Sequence, residues 1–205
     1  MSAAPGRVAA VLLAAGLSQR MGGANKLLLA LGGVPLVARC ADAVLGSAAR
    51  PLVVVTGHQA AEVREALAGR ELRFAHNPAY ADGLAGSLCA GIAALGDGVA
   101  AALVCLADMP WVRAEHVDAL IAAFVANGER AICVPTFAAQ RGNPVLWPAR
   151  YFPEICALRG DAGARALLVS HAGEVCSVPM SDPGVTLDVD TPEALRRVGA
   201  ERALL

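Results

Sequence analysis

Leu13-Ala14-Ala15-Gly16-Leu17-Ser18-Gln19-Arg20-Met21-Gly22-Gly23-Ala24-Asn25-Lys26 follows directly on an apolar run, residues 8–13, that has the length of a buried strand. Its small residues let backbone N–H groups come within hydrogen-bonding distance of an anion. Arg20 and Lys26 add permanent positive charge to the same loop. The oxygens of a nucleoside triphosphate suit such a surface. The loop does not follow G-x-G-x-x-G, and it lacks the Gly-Lys-Ser/Thr of a P-loop, so neither a dinucleotide-binding turn nor a standard NTPase is read from it. Taken alone, the same residues also describe an ordinary strand-to-helix turn with a solvated Arg and Lys.

Working outward, further apolar runs of strand length occur at 51–56, 73–75, 99–107 and 131–135, each followed by Gly, Pro, Asn or Asp. Between them, residues 36–45, 60–67, 87–95 and 114–125 have helical spacing, and the last is stopped by Asn127-Gly128. Alternating strands and helices predict a mostly parallel sheet covered on both faces, with ligands beyond the carboxyl ends of the strands. The 205 residues suit one core. Beyond Gln140 the pattern loosens into Arg141-Gly142-Asn143-Pro144, a short strand at 145–147, a helix beginning near Tyr151, the segment 174–179, a turn at Asp182-Pro183-Gly184 and a final helix capped at Thr191 and running to about Leu204. An acceptor side is expected in roughly residues 140–190.

A chain that is 56% hydrophobic and 17% charged is not disordered, and with 4% aromatics its core must be built mainly from Ala, Val and Leu. With 17 basic and 18 acidic residues there is no net field to attract nucleic acid. The cysteines, 40, 89, 105, 133, 156 and 176, are scattered singly with no C-x-x-C spacing and are expected to be small buried hydrophobes. The apolar opening is broken by Gly16, Ser18, Gln19 and Arg20, well short of the roughly 20 residues a membrane span needs, and it has no signal-peptide pattern. A cytoplasmic protein with no membrane partner is expected. His76, His116 and His171 show no constellation, His58 sits between a strand and a helix, and Trp111 is expected to be an apolar anchor.

Two acidic positions stand out. Asp108, in Leu106-Ala107-Asp108-Met109-Pro110, ends the 99–107 run. Asp188 and Asp190 precede Thr191-Pro192, a helix-opening pair. Each is of a type common in turns and caps. Together they also suit a divalent cation, since Mg²⁺ takes one or two carboxylates plus phosphates and water.

The pattern L-A-A-G-x-S-x-R-M-G…K resembles the signature loop of the nucleotidyltransferases that act on molybdopterin, sugar phosphates and methylerythritol phosphate. That resemblance implies a three-layer α/β/α, Rossmann-like fold with a mostly parallel mixed sheet. It implies nucleotide contacts from Leu13, Ala14, Ala15, Gly16, Ser18 and Lys26, charge stabilisation by Arg20 and Lys26, and Mg²⁺ held by Asp108 and Asp190, with Asp108 in the catalytic machinery. Val55-Thr56-Gly57-His58, Asn77 with Gly83-Leu84-Ala85-Gly86-Ser87-Leu88, Arg141-Gly142-Asn143-Pro144-Val145-Leu146 and Gly160-Asp161-Ala162-Gly163-Ala164-Arg165 extend it, and the combination is most similar to the molybdenum cofactor cytidylyltransferases. The donor implied is CTP, since Ala15 stands where the guanylyltransferase branch has a glycine that makes room for a purine. Asn77, Gly83, Ser87 and Asp108 fall on its nucleotide side. The acceptor implied is a molybdopterin-type cofactor, met by Arg141, Gly142, Asn143, Pro144, Asp161 and Gly163, with docking to a molybdenum hydroxylase as a further expectation. Asn143 stands where such enzymes commonly have His. Guanylyl transfer, transfer to a sugar or methylerythritol phosphate, and a non-catalytic cofactor carrier are the alternatives.

Overall fold

The run before the opening loop forms β1 (Arg7–Ala14), buried along seven of its eight residues. In the computed structural model, residues 6–17, 25–161 and 163–189 are described. After β1 come a two-residue hairpin, β2 (Ala30–Leu31) and β3 (Val34–Pro35), then α1 (Leu36–Leu45), β4 (Leu52–Thr56), α2 (Ala60–Ala66), β5 (Arg73–His76), α3 (Leu84–Ala93) and β6 (Val99–Leu106). The chain continues through α4 (Ala114–Ala126), β7 (Ile132–Phe137), β8 (Gln140–Arg141), β9 (Val145–Pro148), α5 (Phe152–Ala157), α6 (Arg165–Ser170) and β10 (Val175–Pro179).

The main sheet runs β10-β7-β9-β6-β1-β4-β5, with β8 added to β7. Its pairs are parallel except where β9 runs antiparallel between β6 and β7 and where β8 turns back on β7. This is the mostly parallel mixed sheet expected.

Alternation along β1 decides the layers. Val8, Ala10, Leu12 and Ala14 enter a core closed by Val37, Ala41 and Val44 of α1, Val63 of α2 and Leu120 and Phe124 of α4. Ala9, Val11 and Leu13 enter a second core with Leu88 and Ile92 of α3, Ile155 of α5 and Leu168 of α6. Helices therefore cover both faces. α3 lies close to the sheet because Gly91 has no side chain: a Cβ there would come 2.3 Å from Val11 Cγ1.

The expected strands and helices are found within a few residues of their predicted ends. The largest shift is α3, which starts at Leu84 rather than Ser87, because Gly83, at φ +119°, turns the chain into the helix without a side-chain cap. Glu174 belongs to a short 3₁₀ turn ahead of β10. The cysteines divide: Cys40, Cys105 and Cys133 are buried, whereas Cys89, Cys156 and Cys176 are only half-buried. They are also not single, since Cys133 and Cys176 lie opposite each other in the β7–β10 ladder. The final helix expected from Thr191 lies outside the described residues. Among the described residues no helix is long and apolar enough to cross a membrane.

Ala138 and Ala139, at φ +47° and +64°, form the two-residue turn between β7 and β8, where Asn-Gly is the favoured pair. A left-handed alanine costs roughly 1–2 kcal/mol, and glycine's extra freedom in the unfolded chain costs about 0.4–1 kcal/mol. Ala139→Gly is therefore expected to stabilise the protein by about 1 kcal/mol, seen as a higher urea midpoint at unchanged slope; a lower midpoint contradicts the account of this turn.

Candidate active site

The carboxyl ends of β1, β4 and β6 meet above the sheet. Ala107 N–H donates to Leu13 O at 3.2 Å, and His58 N–H donates to Ala15 O at 3.2 Å, so the chain leaving β1 is held on both sides. The side chains of Leu13, Ala14 and Ala15 are buried in the core. Ala15 packs where a Cβ on Gly57 would come 2.9 Å from its own, so its methyl is fixed. Gly16 is exposed, and a Cβ added to it meets nothing within 4 Å. Packing among the described residues does not call for glycine there, and its backbone is open to approach. Ser18 and Arg20 lie outside the described residues.

The chain is described again from Asn25, whose side chain accepts from Leu27 N–H at 3.1 Å and caps a 3₁₀ turn, Lys26–Leu28. Leu27 anchors that turn in the core, and Lys26, one residue earlier, points across to β6. Its Nζ donates to Asp108 Oδ2 at 2.6 Å, with the two side chains only 17% and 21% accessible. Asp108 follows β6 by two residues, in a turn closed by Met109 N–H to Leu106 O at 3.4 Å and Val112 N–H to Met109 O at 3.2 Å. Its second oxygen, Oδ1, is buried and has no hydrogen-bonding partner among the described residues. Nearby, the Cys40 thiol donates to Ala107 O at 3.3 Å; burial, and then the negative charge of Asp108, push it up to about 12, so it stays neutral.

Asp108 also receives the second acidic segment. Val189 N–H donates to Asp108 O at 2.9 Å, which brings exposed Asp188 and buried Val189 beside the end of β6. Asp190 lies outside the described residues. No group of three or more His, Cys, Asp or Glu among the described residues forms a metal cage of its own. A cation bound by one or two carboxylates, phosphates and water needs no such cage, and the unsatisfied Oδ1 of Asp108 is the oxygen it would take.

The other expected site residues fall into two groups. Asn77 and Ser87 are buried against each other, Asn77 Nδ2 donating to Ser87 Oγ at 3.0 Å while Asn77 Oδ1 accepts from Ala79 N–H at 3.0 Å. They tie the end of β5 to the first turn of α3. Gly83 crosses Gly160 so closely that a Cβ on it would come 2.3 Å from Gly160 C; Ala85 N–H donates to Gly160 O at 3.1 Å, and a Cβ on Gly163 would come 3.2 Å from Leu84. The Gly160–Gly163 loop and the start of α3 are therefore one contact, with Asp161 exposed beside it.

The second group is Arg141, Gly142, Asn143 and Pro144. Arg141 is exposed at the end of β8, and Asn143 N–H donates to Val185 O at 2.8 Å. A Cβ on Gly142 would lie 2.1 Å from that carbonyl, so only glycine passes there. Pro144 lines a small cavity together with Leu106 and Met109, on the flank of the Asp108 turn.

Two histidines expected to have no constellation do have one. Buried His116 meets Asp182 through Nε2 at 2.9 Å. His171 lies between Glu154, at 2.8 Å, and Glu174, at 3.3 Å, and the Glu154 hydrogen bond leads the causes that raise its pKa. Trp111 packs against Leu31, Leu36 and Val189, an apolar anchor beside the site as expected.

Residues 10–175 match the MobA-like NTP transferase domain. Over 196 residues, 93% of this chain and 96% of the relative, the sequence is 30% identical to a protein named nicotine blue oxidoreductase from Paenarthrobacter nicotinovorans. Among solved structures, the homologue of Rv0371c from Mycobacterium sp. strain JC1 superposes with a TM-score of 0.84 at 29% identity, covering 96% of this chain and 97% of that one. Rv0371c from Mycobacterium tuberculosis, solved in complex with manganese, superposes with a TM-score of 0.74 at 25% identity, covering 95% and 98%. The strand-end site and these matches lead to one assignment: the chain belongs to the MobA-like NTP transferase domain family.

Proposed function

We propose that this protein transfers CMP from CTP to the terminal phosphate of a molybdopterin-type cofactor, releasing pyrophosphate, with residues 1–205 acting as one domain. The observation that carries this is the Lys26–Asp108 pair at the carboxyl end of β6, with the second carboxylate oxygen buried and unsatisfied among the described residues. Lys26 would lend its charge to the triphosphate, and Asp108 with Asp190 would hold Mg²⁺. The cation supplies charge neutralisation at the α-phosphate and on the leaving pyrophosphate. An oxygen of the acceptor phosphate forms the new bond to the α-phosphorus, and the bond to the β-phosphate oxygen breaks with its electrons leaving on pyrophosphate. The acceptor is itself the nucleophile, so the protein positions two anions and stabilises charge, the usual source of acceleration in such transfers.

Backbone at Gly16, with Ser18 and Arg20, takes the nucleotide phosphates. Asn77, Gly83 and Ser87 shape the nucleotide side through the contacts of β5 with α3. Arg141, Gly142, Asn143, Pro144, Asp161 and Gly163 line the acceptor side. The buried methyl of Ala15, held against Gly57, supports a pyrimidine base, because it occupies volume a glycine would leave open. The relative's name, an oxidoreductase, does not carry over, since chemistry is argued from the site and not from the scaffold. Delivery of the product to a molybdenum hydroxylase in the cytoplasm is the physiological setting proposed.

The test is incubation with Mg²⁺, molybdenum cofactor and each of CTP, GTP, ATP and UTP, following pyrophosphate. CTP is expected to be preferred; preference for GTP removes the base assignment, and no release with any nucleotide leaves the carrier reading. Oxidoreduction of nicotine blue in place of pyrophosphate release overturns the transferase. Lys26→Met and Asp108→Asn are each expected to lower kcat/KM by roughly 100-fold or more, about 3 kcal/mol of transition-state stabilisation, while the protein stays folded by circular dichroism. Ala15→Gly is expected to raise GTP use relative to CTP; an unchanged ratio means another residue reads the base.

A further inference from the structure

His116 occupies the first turn of α4, 3% exposed, and takes no part in the chemistry just described. Its Nδ1 accepts the N–H of Arg113 at 3.2 Å, so the ring hydrogen sits on Nε2 and is donated to Asp182 Oδ2 at 2.9 Å. Arg113 Nη2 reaches the same oxygen at 2.5 Å, and Gly184 N–H donates to Oδ1 at 2.8 Å. Burial works to raise the Asp182 pKa, but the Gly184 N–H, His116 and Arg113 together hold it below the usual carboxylate value, so Asp182 is ionised in the folded protein at neutral pH.

Asp182 caps the 3₁₀ turn Pro183–Thr186. From that turn Val185 O accepts Asn143 N–H at 2.8 Å, seating the Arg141-Gly142-Asn143-Pro144 loop. Farther along, Val189 N–H reaches Asp108 O at 2.9 Å, and the Val189 side chain is buried with Leu31, Leu36 and Trp111. The segment passes directly over the histidine: a Cβ on Gly184 would come 2.4 Å from Trp111 O and 3.1 Å from His116 Cε1. One segment thus touches both halves of the site, and its fixed end is the pair of buried His116 and half-buried Asp182.

We propose that His116 is a positioning residue, which through Asp182 pins residues 182–189 so that the acceptor loop at Asn143 and the acidic segment at Val189 are both set against Asp108. The inference rests on the function proposed above and deepens it. The pair lies away from the reacting groups and acts through backbone contacts. Its loss loosens cation and acceptor sites together and leaves the nucleotide loop after β1 untouched.

The experiment compares His116→Leu, which removes both ring hydrogen bonds, with His116→Gln, whose amide keeps a donor for Asp182. Amide hydrogen exchange at Asn143 and Val189 reads the pin itself. Binding of Mn²⁺ to the nucleotide-free protein, followed by the resonance of the free ion, reads the site. His116→Leu is expected to lose protection at both amides, to weaken Mn²⁺ binding by roughly 10-fold or more, and to raise KM for the acceptor while KM for the nucleotide stays within about twofold. His116→Gln is expected to restore most of each. If His116→Leu does not fold, Asp182→Asn tests the same pin and is expected to show the same losses. Native protection at Asn143 and Val189 in the variant overturns the proposal, as does lost protection with Mn²⁺ affinity unchanged. A native protein that binds no Mn²⁺ overturns the metal reading instead, and the exchange measurement then decides the pin by itself.

Discussion

Burial of β1 on both faces is the constraint on which the rest of this structure depends. Every residue from Val8 to Ala14 is 8% exposed or less, so no side chain along the strand can reach a ligand. The backbone is equally committed, since β4 and β6 pair with β1 over most of its length. Polar chemistry is pushed off the strand and onto its carboxyl end, where the chain must turn and where N–H groups, glycine and charge become available. A sheet covered by three helices on each face needs many small interlocking aliphatics, and Gly91 shows how little room a single methyl would have between α3 and β1.

At that end the electrostatics are unbalanced by one oxygen. Lys26 satisfies half of the Asp108 carboxylate and nothing among the described residues satisfies the other half. A buried carboxylate oxygen without a donor costs free energy that a well-packed interior does not ordinarily tolerate, and a site that binds a cation is a reason to tolerate it. The Cys40 thiol beside it is no competitor. Burial and the Asp108 charge keep it protonated, so it contributes no second anion and its S–H is donated to Ala107 O. The candidate cation site is thereby left to oxygen ligands, the preference of a hard divalent ion.

What the sequence discloses and what it hides divide along sequence distance. Short apolar runs separate strands well, and α1 starts and stops at the residues its periodicity implies. β2, β3 and β8, at two residues each, are too short to carry any pattern. The early start of α3 is hidden because its signal is a backbone angle at Gly83 and not a capping side chain. Asp108 is legible because a strand and a proline bracket it. His116 is not, because its meaning depends on Asp182, 66 positions away, and nothing near either residue announces the other. Asp182-Pro183-Gly184 reads correctly as a turn, yet the use of that turn, with Asp182 gripping His116 and Gly184 clearing Trp111, exists only in three dimensions. Asn77 and Ser87 are a milder case: both belong to recognisable segments, but their hydrogen bond to each other makes them part of the frame around the nucleotide side.

A relative aligned over nearly its whole length carries the name of an oxidoreductase, within a family described by nucleoside triphosphate transfer. The shared scaffold therefore fixes where a ligand sits and leaves open which bond is made or broken there. In this chain the deciding groups are a lysine and a carboxylate at hydrogen-bonding distance, flanked by an open glycine and by a segment that returns from the far end of the sheet to meet Asp108. An oxygen of Asp108 is held buried and, among the described residues, has no partner, which a redox role does not by itself call for. Displacement at phosphorus does, because the charge that must be neutralised is large, localised on oxygen, and greatest as pyrophosphate leaves.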